Sequence, residues 1–311
     1  MPEPSKTPLS GRRVRLAADG YEANIASVGA TLRTLSYRGR ELVRPFEADE
    51  LRPHFAGAIL APWPNRVTDA AYAWDGEERQ LDVSEPERGN ALHGLMAWQE
   101  FEVVESSNRS AALRAVVEPR KGYPHRVELV VRFTLARDGL TTRVQARLLA
   151  GAAAPFGTGP HPYLVAPGGK VDDWVFSLPA ATIQDVELTR MVPTGLRAVA
   201  GSAEDFTTPR TVGETFIDHA YTDLTRDEDG LAHVLVTDAA GVGTRMSWDA
   251  ACPWVQVHTA DQPVEAESRT GLAVEPMTCP PGAFNSGTDV IRLEPGESTE
   301  ASWTIGAVGG A

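Results

Sequence analysis

Apolar residues occupy every second position over Val127, Leu129, Val131, Phe133 and Leu135, and again over Val144, Ala146 and Leu148. A period of two is the mark of a strand with one buried face. Asp138-Gly139 separates the two runs, so the pattern predicts a hairpin. Turn signals recur at Asp19-Gly20, Arg38-Gly39-Arg40, Asp75-Gly76, Asp229-Gly230 and Gly241-Val242-Gly243, several beside strand-like runs such as Val234 to Thr237. No stretch has the length and period of a long amphipathic helix; the best short candidate, Ala203 to Phe206, amounts to one turn at most. Strands without crossover helices argue against a parallel α/β sheet and predict an all-β antiparallel sandwich or barrel. No internal repeat period points to a propeller or solenoid.

Composition sharpens this picture. The 28 glycines and 23 prolines punctuate short apolar stretches along the whole chain and do not collect in one linker. The 311 residues suit one large β domain spanning 1–311, with 42% hydrophobic and 23% charged residues, ordinary globular usage. A net charge of -13 disfavours nucleic acid or an anionic membrane as partner and favours a small molecule. Met1 to Arg13 carries no apolar stretch of a signal peptide, and no run is long enough to span a bilayer. Two cysteines, Cys252 and Cys279, do not make a disulfide framework, so a reducing cytoplasm is expected.

Candidate chemistry lies where strand patterns break into loops. Three of the histidines, His93, His161 and His219, sit at such breaks. Asn65-Arg66 follows two prolines, His93 precedes Gly94, and His161 stands between two prolines, which stiffen the backbone that presents it. Glu275 is a carboxylate in an apolar run ahead of a proline; burial there would raise its pKa towards that of a base competent near neutrality. Taken singly, each has a plainer reading: a hydrogen-bonded structural histidine, a surface or ion-paired arginine, a structural carboxylate.

Taken in order, Asn65-Arg66, Asn90-Ala-Leu-His93-Gly94, His161-Pro-Tyr163, Phe216-Ile-Asp218-His219-Ala-Tyr-Thr-Asp223 and Glu275-Pro-Met277 resemble the aldose 1-epimerase (galactose mutarotase) family over nearly the whole chain, from about Ser27 to Thr304. That resemblance implies a large two-layered antiparallel β-sandwich, the galactose-mutarotase-like supersandwich, with an open sugar cleft on a concave face. It implies Glu275 as general base, His161 as general acid, and Arg66, His93 and Asp218 as sugar ligands, with Asn65 supporting Arg66. Asp223 could take the place of Asp218. The segment Trp254-Val-Gln256-Val-His258-Thr is similar to the family strand that ends beside the sugar, with His258 where many members carry an aromatic residue.

Anomer exchange opens a cyclic hemiacetal: a proton leaves the C1 hydroxyl while another reaches the ring oxygen. One base and one acid suffice, with a carboxylate ionised at neutral pH and a histidine biased to its protonated form by a nearby anion. No redox or group transfer is involved, so no cofactor and no metal are expected. The reading is a cytoplasmic isomerase acting on a small-molecule sugar, with no nucleic-acid or membrane partner and the oligomeric state open. A cupin-type metal enzyme would bring a close His-x-His pair, which does not occur. Two rival functions stay open: a hexose-6-phosphate or sulfonated-sugar 1-epimerase, with Arg120-Lys121 or Arg269 as rim cations, and a non-catalytic sugar-binding protein. Trp63, Trp98 and Trp254 are candidates for stacking on a sugar, and core packing would suit each equally well.

Overall fold

The computed structural model describes residues 7–310. Residues 1–6, part of the Met1 to Arg13 stretch, lie outside the described residues. The predicted hairpin forms from Arg126–Ala136 and Gly139–Ala150 in an antiparallel register that pairs Leu135 with Leu140. Its alternate positions Val127, Leu129, Val131, Phe133, Leu135, Val144, Ala146 and Leu148 are all buried, as the period requires. Arg38-Gly39 and Asp75-Gly76 each close a hairpin with positive φ at both residues, as does Asp19-Gly20, the geometry whose twist matches that of the flanking strands.

Two sheets dominate. The larger has nine strands, in spatial order Glu102–Ser106, Ser110–Val117, Arg126–Ala136, Gly139–Ala150, Ser298–Val308, Gly243–Trp248, Ala232–Thr237, Val175–Ser177 and Arg210–Thr211. Its neighbours pair antiparallel. The second has six strands, Tyr163–Leu164, Leu272–Met277, Trp254–His258, Asp218–Leu224, Ala180–Glu187 and Val192–Ala198, again antiparallel. A smaller four-stranded sheet runs from Arg13 to Glu41.

Apolar residues of all three sheets join one core cluster that takes in Val14, Leu129, Val234, Val255, Val274 and Ile305. Strand alternation does the sorting in the six-stranded sheet. Val255 and Val257 enter this core, as do Leu272 and Val274, so Trp254, Gln256, His258 and Glu275 point to the opposite face. That opposite face carries the cleft described below.

Helix is scarce. Ala203 to Phe206 forms an irregular turn, and the one α-helix among the described residues is Ala283–Ser286, which the apolar pattern did not signal. It spans a single turn, too short to carry a 3.6-residue period, and is bounded by Gly282 and Gly287 in left-handed conformation.

Candidate active site

The six residues to which the family resemblance gives roles line one cavity of about 420 Å³: Glu275, His161, Arg66, His93, Asp218 and Asn65. They arrive from separate parts of the chain. Glu275 stands on Leu272–Met277, opposite Gln256 of the neighbouring strand, and Asp218 stands opposite His258. Arg66 and Leu92 are paired in a two-residue ladder, which brings Asn65 and His93 side by side.

His161 is fixed from both sides of its backbone. Its amide donates to Ala58 and its carbonyl accepts from Gly57, between the Gly159–Pro160 pairing and the Tyr163 strand. The result is an Nε2 of His161 3.3 Å from Oε1 of Glu275, both side chains almost fully out of water. Nδ1 of His161 and Oε2 of Glu275 are buried without a partner among the described residues, leaving hydrogen-bonding capacity for a guest.

His93 is held in one tautomer. The Asn65 amide donates to its Nδ1 at 3.2 Å, and its own amide donates to the Asn65 carbonyl at 2.8 Å. The accepting Nδ1 leaves Nε2 as the protonated nitrogen of the neutral ring. Both Asn65 and His93 have positive φ, and Gly94, with φ +72, lies so close to Ala61 that a Cβ there would stand 2.2 Å from the Ala61 carbonyl oxygen. The imidazoles of His93 and His161 meet edge to face at 5.1 Å, and Phe55 packs on His93 at 4.7 Å.

Arg66 donates twice to Glu85, at 2.9 and 2.8 Å, in a bidentate pair with little exposure. Its amide donates to the Asn65 side chain, which is how Asn65 supports it. Glu85 also accepts from Arg88 at 2.7 Å and from the Asn90 side chain. On the cleft floor Gln256 donates to Asp218 at 2.7 Å. The arrangement puts a buried carboxyl–imidazole pair in the lining of a polar cleft, where Nδ1 of His161, Oε2 of Glu275 and Oε1 of Gln256 have no partner among the described residues.

The family model for aldose 1-epimerase matches residues 12–306. The chain belongs to the aldose 1-epimerase family. It is 36% identical over 297 residues to the uncharacterized protein YihR of Escherichia coli (strain K12), covering 93% of this chain and 91% of that one. It is 24% identical over 261 residues to the aldose 1-epimerase of the same strain, covering 80% and 68%. The fold matches the crystal structure of the GalM/aldose epimerase homologue from C. elegans with a TM-score of 0.83 at 19% identity, over 96% of this chain and 99% of the other. The all-β, galactose-mutarotase-like architecture anticipated from the sequence is therefore the one present.

Electrostatics departs from expectation at one point. A nearby anion was expected to hold His161 protonated, but burial, with His258 adding to it, pulls its pKa down to about 3. Burial likewise takes His93 well below the usual histidine range, and it raises Glu275 well above the carboxylate range, with Asp218 adding repulsion and Arg66 opposing. Removal from water outweighs the attraction within the pair, so each member favours its uncharged form.

Other candidates are sorted by the strand pleat and by partners. Asp218 faces the cleft, whereas Asp223 accepts from Thr182 in an exposed position. His219 shares the core-facing side of its strand with Ile217 and Tyr221 and does not line the cleft. None of the three tryptophans lines it either. Trp63 packs between Tyr123 and Phe284, Trp98 lies under the Arg52 guanidinium, and Trp254 donates to Asp289. The aromatic walls are Phe55 and Tyr163. Arg120 and Lys121 are absent from the cleft, and Arg269 is taken up by Asp172 and Asp261.

Sequence reasoning did not single out Glu85 or Phe55. Glu85 sits in Ser84-Glu-Pro-Glu, a string with the composition of a solvated turn, and Phe55 in a short non-periodic segment after Pro53. Only the tertiary contacts to Arg66 and His93 give them a place.

Proposed function

We propose that this protein is an aldose 1-epimerase acting on a free, uncharged aldose, and the observation that carries the reading is the buried Glu275–His161 pair in the cleft. Burial makes the pair favour its uncharged forms. Hydrogen bonds from a bound sugar, together with Arg66, stabilise the carboxylate, and the proton moves across the 3.3 Å gap to His161. Glu275 then takes the proton of the C1 hydroxyl while His161 gives its proton to the ring oxygen. The C1–O5 bond breaks and C1 becomes an aldehyde. The pair is now neutral on both sides, the state burial favours. After rotation about C1–C2 the steps run in reverse on the other face of the carbonyl. Arg66, His93 and Asp218 hold the ring hydroxyls meanwhile, and each proton-transfer partner is worth roughly 10²–10⁴ in rate.

Charge supports an uncharged sugar. Besides Glu275 the cleft is lined by four carboxylates, Glu85, Glu87, Asp218 and Asp261, against two guanidinium groups, Arg66 and Arg88, and both of these bind Glu85. A phosphate or sulfonate would find no unpaired arginine among the lining residues.

The test is a polarimetric or NMR time course on fresh α-glucose, α-galactose and their 6-phosphates. Faster equilibration of the free hexoses, lost in Glu275→Gln and His161→Ala variants that keep the wild-type circular dichroism, is expected. Acceleration confined to the phosphates would overturn the substrate class, and near-normal rates in both variants would overturn the residue roles. Sugar binding with no acceleration by the wild type would mean a non-catalytic binding protein.

A further inference from the structure

A cavity of about 250 Å³ shares no lining residue with the cleft. Phe55 stands between the two: its ring packs on Trp98 of this cavity at 5.7 Å and on His93 of the cleft at 4.7 Å. Val28 and Phe46 give it apolar walls, and Leu9, Leu51 and Trp98 line it where it opens to solvent, 66%, 72% and 47% exposed. Ten large apolar side chains are exposed among the described residues, and three of them meet here. Single exposed apolar residues are ordinary, but several around one hollow mark a surface that gains from being covered.

The buried side of the lining carries a charge. Arg52 is 7% exposed, and its guanidinium lies over the Trp98 ring at 4.2 Å. It donates to the carbonyls of Val28 and Ala97 and to the hydroxyl of Thr31, while its Nε has no partner among the described residues. Those acceptors are neutral. Burial lowers the pKa of Arg52 to about 10, with no carboxylate near enough to oppose the loss. Other buried arginines differ: Arg66 holds Glu85, Arg269 holds Asp172 and Asp261, and Glu47 supports the charge of Arg33. Carbonyl oxygens satisfy N–H groups without cancelling a charge, and a cation withdrawn from water is costly to keep without an anion. The cavity is therefore short of one negative charge.

That shortage and the walls together define a guest. One guanidinium balances one negative charge, and Glu50, the one carboxylate of the lining, repels a second, which disfavours a phosphate dianion. The apolar walls call for an apolar body. At about 30 Å³ for a water-sized group, the space takes roughly eight non-hydrogen atoms.

We propose that this cavity binds a small amphipathic monocarboxylate, with its carboxylate on Arg52 and its chain among Phe46, Leu51 and Trp98. Such a ligand is a second guest, separate from the sugar of the cleft.

The test is calorimetric titration of hexanoate, a carboxylate of that size, into the whole protein. Saturable binding is expected, about tenfold tighter than that of 1-hexanol or hexylammonium, which keep the chain without the anion, and of acetate, which keeps the anion without the chain. Leu51→Asp puts a like charge at the exposed opening and should weaken hexanoate about tenfold with the circular dichroism unchanged. Arg52→Met should bring hexanoate down to the level of 1-hexanol. Because Arg52 also ties Val28, Thr31 and Ala97 together, that variant counts only if it folds; if it does not, the 1-hexanol comparison and Leu51→Asp decide. No saturable hexanoate binding, equal affinity for hexanoate and 1-hexanol, or unchanged affinity in Leu51→Asp would each overturn the site. No sugar enters these measurements, so their outcome and that of the epimerase assay are independent.

Discussion

A carboxyl and an imidazole 3.3 Å apart and out of water keep their proton where charge is least costly, and the pH dependence of stability should record this. His161 and His93 both have folded-state pKa values below the unfolded value near 6.5, at about 3 for His161. Between those values the unfolded chain binds protons that the folded chain refuses, so stability is complete above pH 6.5 and lost as pH falls towards 3. Glu275 has the opposite sign: its folded pKa is raised, so its contribution is present below about 4.5 and lost as pH rises through the folded value. Melting temperature measured against pH should therefore fall more gently below 6.5 in His93→Gln than in the wild type. The uncharged Glu275→Gln should gain on the wild type as pH is raised. Parallel curves for all three proteins would mean that burial does not set these protonation states.

At the scale of elements, the site depends on close backbone approaches more than on any single strand. His93 reaches the cleft because Gly94 lets the chain pass against Ala61, whose carbonyl also accepts the amides of Leu95 and Met96. Gly94→Ala places a methyl against that oxygen at positive φ, and should cost about 3 kcal/mol in chemical denaturation while displacing His93. A loss under about 0.5 kcal/mol would show that the loop relaxes freely. The hairpins were legible beforehand, since Asp138-Gly139 between two period-two runs dictates a local structure from local information. The helix at Ala283–Ser286 was not, because one turn sets up no period.

Over the whole molecule, the net charge of -13 and the acidic lining of the cleft act in the same direction on any charged ligand. Approach of a hexose 6-phosphate is opposed by a field that salt screens, so kcat/KM for the phosphate should rise between about 10 and 200 mM NaCl while that for free glucose stays flat. A phosphate rate that falls with added salt would instead indicate an attracting cation at the rim.

What the sequence determined by itself is whatever short-range patterns encode: antiparallel strands from a period of two, reversals from Asp-Gly and Gly-rich pairs, and a set of ordered motifs that carries the family. It also named six residues that the fold gathers in one cleft, His161 and His93 at breaks between strand and loop and Glu275 as a carboxylate inside an apolar strand. Only the tertiary structure decided which face each strand turns outward. That choice put Asp218 in the cleft, Asp223 in solvent and His219 against the core. It also supplied partners distant along the chain, Glu85 for Arg66 and Phe55 for His93, and withdrew His161 and Glu275 from water. Burial and pairing are properties of the packed whole, and a proton's preferred place follows from them.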